Sequence, residues 1–311
     1  MEAMPGKRAD ALFHKTSHII PNTMKSSIFK KTLALLLLVM LAATAQAQIA
    51  LRLTAGSKRF LRYEPIPFTL QVTNLSGNTL TFGGTRPYER GSVTFRVEGS
   101  RGRNSAQFAR MENPAGGLKL APGETKELTV TVNQFYDMQR EANYTVTAYL
   151  SHARLPSTYV SESVNVEVVE GSALLVKTIG MPSKNSTDVI KTLKLTLLRF
   201  PDVEQDLYCL RVEDDANVYA SFRLGDYIES EQPQMELDGP NLIHILLQLR
   251  PKVFVYYIMG FDGYNLKMRQ KRFYKSSDGF PPELKRENGY LRLKHARLAV
   301  EGVDYIEPEK K

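Results

Sequence analysis

An alternation of apolar and polar residues near the start of the chain predicts β-structure. Residues 63–82 read YEPIPFTLQVTNLSGNTLTF, in which Phe68, Leu70 and Val72 are separated by single polar residues. A Ser-Gly-Asn turn signal follows, and the alternation resumes at Leu80. Apolar residues at every second position place one side of a strand in a core and the other side in solvent. The stretch therefore predicts two strands of an antiparallel sheet with one buried face.

The same period of two recurs throughout residues 48–171. Turn signals rich in Gly, Pro and Asn separate the runs at intervals close to the ~8–12 residues that are typical of β-sandwiches. Seven or eight antiparallel strands in about 120 residues is the size of an immunoglobulin-like domain. The predicted strands lie at residues 49–53, 68–72, 80–82, 93–97, 118–120, 128–132, 144–148 and 164–168.

Three segments of this region carry a family resemblance: the stretch at 63–82, LAPGETKELTV at 120–130 and ANYTVTAYL at 142–150. They resemble bacterial immunoglobulin-like domains of the intracellular proteinase-inhibitor (BsuPI-like) type and of envelope adhesion proteins. In those domains a Thr-Asn strand end precedes a Ser/Gly turn, a Pro-Gly-Glu corner leads into a strand, and a Tyr-x-Val segment closes the sheet. The resemblance implies an immunoglobulin-like sandwich. It carries no catalytic residue to this chain, because the shared positions are turn and core residues.

A change of pattern after the last of these strands predicts a second β domain. We place the boundary at residues 170–173, where a Gly-Ser pair precedes a new apolar run. The apolar run at 189–200 fits either a short helix or a strand. The alternation of Leu193, Leu195 and Leu197 favours the strand.

Residues 172–311 contain a weak repeat of about 48 residues. Segments 207–226 and 254–273 both read strand, turn, strand, and their turn residues Asp215 and Asp262 are 47 positions apart. This order resembles blades of the sialidase-like and WD-like β-propeller types. Two blades and a remnant do not close a ring, since propellers need at least ~4 blades. We therefore expect an antiparallel β domain of blade-like hairpins, with a plain hairpin-rich sheet as the alternative.

A secretory leader is predicted near the N-terminus. Basic residues precede the apolar run LALLLLVMLAA at 33–43, and an Ala-Gln-Ala sequence ends at Ala47. The run is far shorter than the ~20 residues that span a bilayer. We expect cleavage after Ala47 and an exported chain, periplasmic or extracellular, without a stable membrane anchor. Residues 24–47 are then the signal peptide, and residues 1–23 are interpreted as an extension upstream of the native start at Met24; an unusually long basic region is the alternative.

Cysteine usage and charge narrow the class of protein. Cys209 is the only cysteine, so the fold relies on its core and not on internal disulfides, which is ordinary for a bacterial envelope protein. The leader region holds six of the 41 Lys+Arg and two of the 33 Asp+Glu, which leaves a net charge of +4 on the remaining 264 residues. So mild a charge gives little support to nucleic-acid binding.

No sequence motif indicates catalysis, cofactor binding or metal binding, and none of these is expected. His152, His244 and His295 do not form a His-Glu-x-x-His pattern. Cys209 lies in an apolar run, where a buried thiol is unreactive without a neighbouring base. The acidic residues at 213–217 fit a solvated turn. A calcium loop at 213–217 is one alternative, and a glycosidase carboxylate pair drawn from these acids and from Asp226, Glu229 and Glu231 is another.

Charge is distributed unevenly in the second half. Residues 201–240 contain eleven acids and two arginines, whereas residues 250–297 contain twelve bases and four acids. Pairing across adjacent antiparallel strands is one explanation. The alternative is a basic, tyrosine-rich face on the strand at 266–273, where alternation places Lys267, Arg269 and Lys271 on one side. Such a face would attract an anionic partner. Its candidate residues are Lys267, Arg269, Lys271, Arg272 and Tyr274.

These patterns predict an exported, non-catalytic binding protein of the bacterial envelope. The expected partner is an envelope protein or an anionic polymer and not a nucleic acid. Copies of the chain pairing with one another through an open sheet edge would form a homo-oligomer. A secreted glycosidase-like hydrolase with an immunoglobulin-like accessory domain, favoured by the blade-like repeat, is the alternative. A proteinase inhibitor, implied by the resemblance alone, is a further one.

Sequencing the N-terminus of the exported protein tests the leader. The exported chain is expected to begin at Gln48, because small residues stand at the positions that a signal peptidase requires. A membrane-bound product that retains the leader would contradict this prediction.

Overall fold

The chain is an all-β protein arranged as several antiparallel sheets, as the sequence predicts. Its computed structural model describes residues 48–183, 186–229, 232–263 and 265–306. These residues belong to one compact unit, Gln48–Lys311. The predicted signal peptide and the extension before it lie outside the described residues.

The first half is a sandwich of two sheets that share one apolar core. Its strands are β1 (Ile49–Ala55), β2 (Arg59–Leu61), β3 (Pro67–Asn74), β4 (Leu80–Thr81), β5 (Gly91–Gly99), β6 (Arg103–Asn104), β7 (Lys119–Leu120), β8 (Thr125–Thr131), β9 (Ala142–His152), β10 (Tyr159–Val160) and β11 (Val164–Val169). One sheet has the order β1-β3-β8 and the other β2-β11-β9-β5-β6; β10 pairs with β9, and β4 pairs with β7. All eight predicted strands are present. The short strands β2, β6 and β10 were missed.

Strand β3 shows how the predicted alternation is realised. Phe68, Leu70 and Val72 are fully buried in the core. The polar residues between them lie on the outer face and pair with β8, where Thr73 Oγ1 is 2.9 Å from Thr125 Oγ1. Threonine suits this face because a β-branched side chain fits the pleated surface and its hydroxyl finds a cross-strand partner.

The second half is another pair of sheets around its own core. Its strands are β12 (Ser172–Ser183), β13 (Ser186–Phe200), β14 (Leu207–Glu213), β15 (Val218–Asp226), β16 (Gln234–Leu237), β17 (Ile243–Arg250), β18 (Val253–Phe261), β19 (Leu266–Ser276), β20 (Glu283–Glu287), β21 (Tyr290–Lys294) and β22 (Ala296–Leu298). The sheets have the orders β12-β13-β14-β15 and β16-β17-β18-β19-β22, and β20 and β21 form a separate hairpin. The run at 189–200 lies in β13, so the strand and not the helix is confirmed.

The predicted repeat corresponds to equivalent parts of the two sheets. Hairpin β14–β15 contributes the third and fourth strands of one sheet, and hairpin β18–β19 contributes the third and fourth strands of the other. Asp215 and Asp262 lie in the turns of these hairpins. Each sheet thus contains four antiparallel strands in chain order, and the second sheet has β22 as a fifth strand. The resemblance to propeller blades stays a prediction.

Arg223 of β15 joins the two halves. Its Nε donates to Glu64 Oε1 at 2.5 Å, and its two terminal nitrogens donate to Asp202 Oδ2 and Glu64 Oε2, each at 2.9 Å. A further hydrogen bond reaches the carbonyl of Arg59 at 2.9 Å. The guanidinium carbon lies 5.0 Å from the ring centre of Phe200. Only a planar, five-donor group satisfies so many acceptors at once.

A second arginine, Arg211, forms contacts near the point where the chain passes from the first half to the second. Arg211 of β14 is buried and donates to Glu170 Oε1 at 2.7 Å and to the carbonyl of Arg62 at 3.1 Å. The adjoining Gly171 is tightly enclosed, since an added Cβ would lie 3.0 Å from the carbonyl oxygen of Arg199 and the backbone there would have to shift. Apolar side chains fill the remaining space between the halves: Leu61, Leu198, Phe200 and Cys209.

The segment after β22 is held against β19 by the carboxylate of Asp304. Asp304 accepts hydrogen bonds from Lys275 Nζ at 2.5 Å, from Arg297 at 3.2 Å and from the amide of Val300 at 3.0 Å. The neighbouring Tyr305 stacks on Phe273 with ring centres 4.2 Å apart. The hydrogen bond from Lys275, with the Val300 amide and Arg297 adding to it, lowers the pKa of Asp304 to about 2.

Replacing Arg223 tests the junction. Arg223→Ala is expected to lower the free energy of unfolding by about 3 kcal/mol, the low end of the range for breaking a buried ion pair, because two carboxylates lose their partner. Arg52→Ala, at an exposed arginine of β1, is the matched control and should change stability by less than about 0.5 kcal/mol. Equal urea midpoints for the two variants would show that the junction adds no stability.

The pH dependence of stability tests the C-terminal contact. Asp304→Asn is expected to lower the melting temperature at pH 7, because the charged carboxylate and its partners are lost. The wild-type advantage should shrink as pH falls from about 4 towards 2, since a depressed carboxyl pKa contributes stability above its ordinary value of 3.8 and loses it on protonation. Asp215→Asn, at an exposed turn, should show no such convergence. A constant difference down to pH 2 would contradict the role given to Asp304.

Candidate binding surface

Strand β19, which carries the predicted surface, is open along half of its outer edge. Strand β18 pairs with it from end to end, but β22 pairs only with residues 274–276. The carbonyl of Phe273 accepts one further hydrogen bond from the amide of Ala299, at 2.9 Å. Within the part of the chain that the structure describes, no strand pairs with residues 266–272 on this side. The candidate surface therefore lies on an exposed sheet edge.

The turn before β19 fixes which backbone groups face this open edge. The amide of Asp262 donates to the carbonyl of Asn265 at 3.2 Å, and this contact sets the phase of the hydrogen-bonded pairs. In an antiparallel ladder these pairs alternate along the strand. The backbone N–H and C=O groups of Leu266 and Met268 consequently point away from β18, towards the open edge.

A β-bulge at Arg269 divides the candidate residues between two faces of the sheet. Lys267 is paired with Gly260, whereas Lys271 is paired with Tyr257. Directly paired residues share a face of the sheet. Gly260 and Tyr257 are three positions apart on β18 and therefore lie on opposite faces, and their partners do the same. The prediction that Lys267, Arg269 and Lys271 share one face is therefore wrong. The bulge adds one residue to β19 and reverses the alternation beyond it.

Four of the five candidate residues lie on the outer face, the face of this sheet that carries Tyr256. Arg272 is paired directly with Tyr256. The Nε atom of Arg269 would be 2.9 Å from a Cβ added to Gly260, so this side chain lies over that glycine. Lys271 instead lies on the inner face, with its Nζ atom 5.0 Å from the ring centre of Phe273. The outer-face residues are Lys267, Arg269, Arg272 and Tyr274.

Two of these cations have no acidic partner in the described structure. Arg269 and Arg272 are exposed, and neither forms an ion pair with a described residue. Lys267 lies 3.5 Å from Asp262 at the start of the strand. The outer face thus presents two uncompensated guanidinium groups in solvent beside the open edge.

A buried polar network that the sequence analysis missed supports this face. His244 Nδ1 lies 2.5 Å from the hydroxyl of Tyr256, and its Nε2 is 3.1 Å from Asp238 Oδ2. Asp238 also accepts the amide of Leu242 at 2.7 Å. Burial raises the pKa of Tyr256 to about 12, with the neighbouring Tyr274 and Asp238 adding to the shift, so its phenol is neutral at pH 7. No local signal reveals the network, because its members come from the loop after β16 and from strands β17 and β18.

His152 lines a cavity of about 620 Å³ at one end of the first sandwich. Its Nε2 lies 3.0 Å from the carbonyl of Thr81, and its Nδ1 accepts the amide of Arg154 at 3.1 Å. The nearby hydroxyls of Ser92 and Ser151 lie 3.1 Å from each other. Both ring nitrogens are thus engaged by backbone groups, and the imidazole is held as a structural element of the loop.

Four acidic residues between 202 and 214 pair with bases of β13 or β15, whereas Glu236 of β16 pairs with Lys177 of β12 in the other sheet. Asp214 accepts the turn amides of Ala216 and Asn217 and a hydrogen bond from Tyr219, as the turn interpretation predicts. Its ion pair with Lys191, together with these contacts, lowers its pKa. Pairing with the basic segment at 250–297, one of the two explanations of the charge pattern, does not hold for four of the acids, whose partners lie in β13 or β15: Asp202–Arg223, Asp206–Arg199, Glu213–Lys194 and Asp214–Lys191.

Cys209 is the free cysteine of the described chain. Cys209 is fully buried, as predicted, and burial raises the pKa of its thiol to about 12. Over the described residues, no group of three or more His, Cys, Asp or Glu side chains has a metal-binding arrangement.

The junction between the halves contains a cavity of about 890 Å³. Arg223 on its wall is neutralised by Glu64 and Asp202, which leaves the two exposed carboxylates of Glu204 and Asp226 against the one exposed ammonium group of Lys58. The cavity therefore has an excess of negative charge, whereas the β19 edge is positive. An anionic ligand is favoured at the β19 edge and disfavoured at the cavity.

Comparisons with known proteins leave the family open. No known family's sequence profile matches the chain, and no curated protein shows significant similarity to it. None of the helical segments within the described residues has the length and apolar character that crossing a membrane requires.

Proposed function

We propose that this chain is an exported binding protein of the bacterial envelope that holds an anionic partner at the β19 edge. The observation that carries the proposal is the concentration of uncompensated positive charge there. Residues 265–277 contain five bases and no acid. Arg269 and Arg272 have no ion-pair partner among the described residues, although acids elsewhere in this half are paired.

The physical basis is electrostatic complementarity. Exposed like charges on one strand repel one another, and a partner of opposite charge relieves that repulsion. Because Tyr256 and the buried His244 are hydrogen-bonded to each other on the same face of the sheet, the strand presents these charges on a fixed sheet. The leader predicted at 24–47 supports an envelope location for such a partner.

Charge reversal on the outer face tests this proposal. Arg269→Glu combined with Arg272→Glu should weaken binding of poly-L-glutamate at low salt by at least about tenfold, because each exposed cation contributes roughly 0.2–1 kcal/mol and reversal adds repulsion. Fluorescence anisotropy of the labelled polymer measures the change. The difference should shrink as salt screens the charges.

The matched control makes the same change of charge elsewhere. Arg103→Glu combined with Arg110→Glu alters two exposed arginines of the first sandwich and should leave the affinity within about twofold of wild type. Equal weakening by both pairs would mean that net charge alone attracts the polymer. No binding of the polymer to wild type would remove the proposal altogether.

A further inference from the structure

We infer that the open edge of β19 binds its partner by strand addition, taking up an extended segment of another protein in which acidic and apolar residues alternate. This inference rests on the proposed function and specifies the partner as a protein strand. Strand addition joins an incoming segment to a sheet through main-chain hydrogen bonds, while alternate side chains provide specificity.

Unpaired backbone groups along β19 favour strand addition. The N–H and C=O groups of Leu266 and Met268 face the open edge, and no described strand pairs with them. The edge is bounded at one end by the turn at 262–265 and at the other by β22, which begins to pair at Tyr274. Residues 266–272 give it a length of roughly 23 Å at ~3.3 Å per residue. A segment of about seven residues therefore fits.

The side chains along this edge differ between the two faces. On the outer face, Lys267, Arg269 and Arg272 would lie beside every second residue of an added strand, and these positions favour Glu or Asp. On the inner face, Leu266 packs against the core and Met268 is 47% exposed. An apolar residue of the added strand would cover this exposed surface. The preferred segment thus alternates acidic and apolar residues.

A second copy of this chain is a poor occupant of the same edge. Pairing β19 with β19 of another copy would bring Lys267, Arg269 and Arg272 beside an identical basic set, and like charges on facing strands are destabilising. Charged residues and bulges at sheet edges are the devices that prevent self-association. In this protein the basic residues at the edge disfavour a second basic strand and favour an acidic one. The occupant is therefore a different protein.

The test uses a blocked seven-residue peptide of alternating Glu and Val, added to the chain from Gln48 onwards. Its matched control is the same peptide with N-methyl groups on alternate amides, which keeps the charge but removes the ladder donors. The first peptide should bind at least about tenfold more tightly, because N-methylation leaves edge carbonyls without donors. Binding should also slow hydrogen exchange at the amides of Leu266 and Met268.

A pair of variants tests the same edge from the side of the protein. Met268→Pro removes an N–H that faces the open edge, where proline is tolerated in a strand, and should weaken peptide binding by about tenfold. Met268→Ala keeps the N–H and should change the affinity by less than about threefold. Hydrogen exchange in the wild-type protein gives an independent readout should Met268→Pro fail to fold.

The outcomes separate this inference from the proposed function. Equal binding of both peptides, or unchanged exchange at Leu266 and Met268 at saturation, would overturn strand addition while leaving anionic binding intact, provided poly-L-glutamate still binds. If, without peptide, hydrogen exchange at the amides of Leu266 and Met268 slowed as the protein concentration was raised, the occupant would be a second copy of the chain. That result would likewise overturn the inference. Failure of peptide and polymer alike would remove both proposals.

Discussion

The ion pairs of Arg223 are the constraint on which the arrangement of the two halves depends. The guanidinium group lies on the outer face of one sheet of the second half and binds Glu64 of the first. Asp202 completes the cluster, and Phe200 packs against it. A charged group held between two apolar cores requires partners in fixed positions, because an unpaired charge there is costly. The two sandwiches are consequently joined by specific polar contacts as well as by apolar area.

The outer edge of strand β19 is covered along one half and open along the other. Its second half is closed by β22 and by the segment that Asp304 holds in place. Its first half stays open and carries the basic residues. A fully covered strand would leave no site, and a fully open one would risk association with other copies. Covering one half and charging the other limits pairing to partners of opposite charge.

In the second half, the open part of β19 carries positive charge that has no ion-pair partner among the described residues. Acidic residues on the first sheet are neutralised by bases of the same sheet, as in the pair of Glu213 and Lys194. The basic strand therefore receives little compensation from them. Arg269 and Arg272 keep their charge in solvent, whereas Lys275 on the closed half is paired with Asp304. Positive potential is thus concentrated where the backbone is unpaired.

Alternation alone determined the class of fold, because a buried sheet face requires apolar residues at every second position. The runs that contain Phe68 and Leu195 became strands with the predicted faces. Only the tertiary structure decided what depends on pairing between distant segments. The bulge at Arg269 changed the faces of the candidate residues, and the contact between His244 and Tyr256 joins two strands. A bulge is set by the register of the neighbouring strand, and the sequence of one strand does not contain that information.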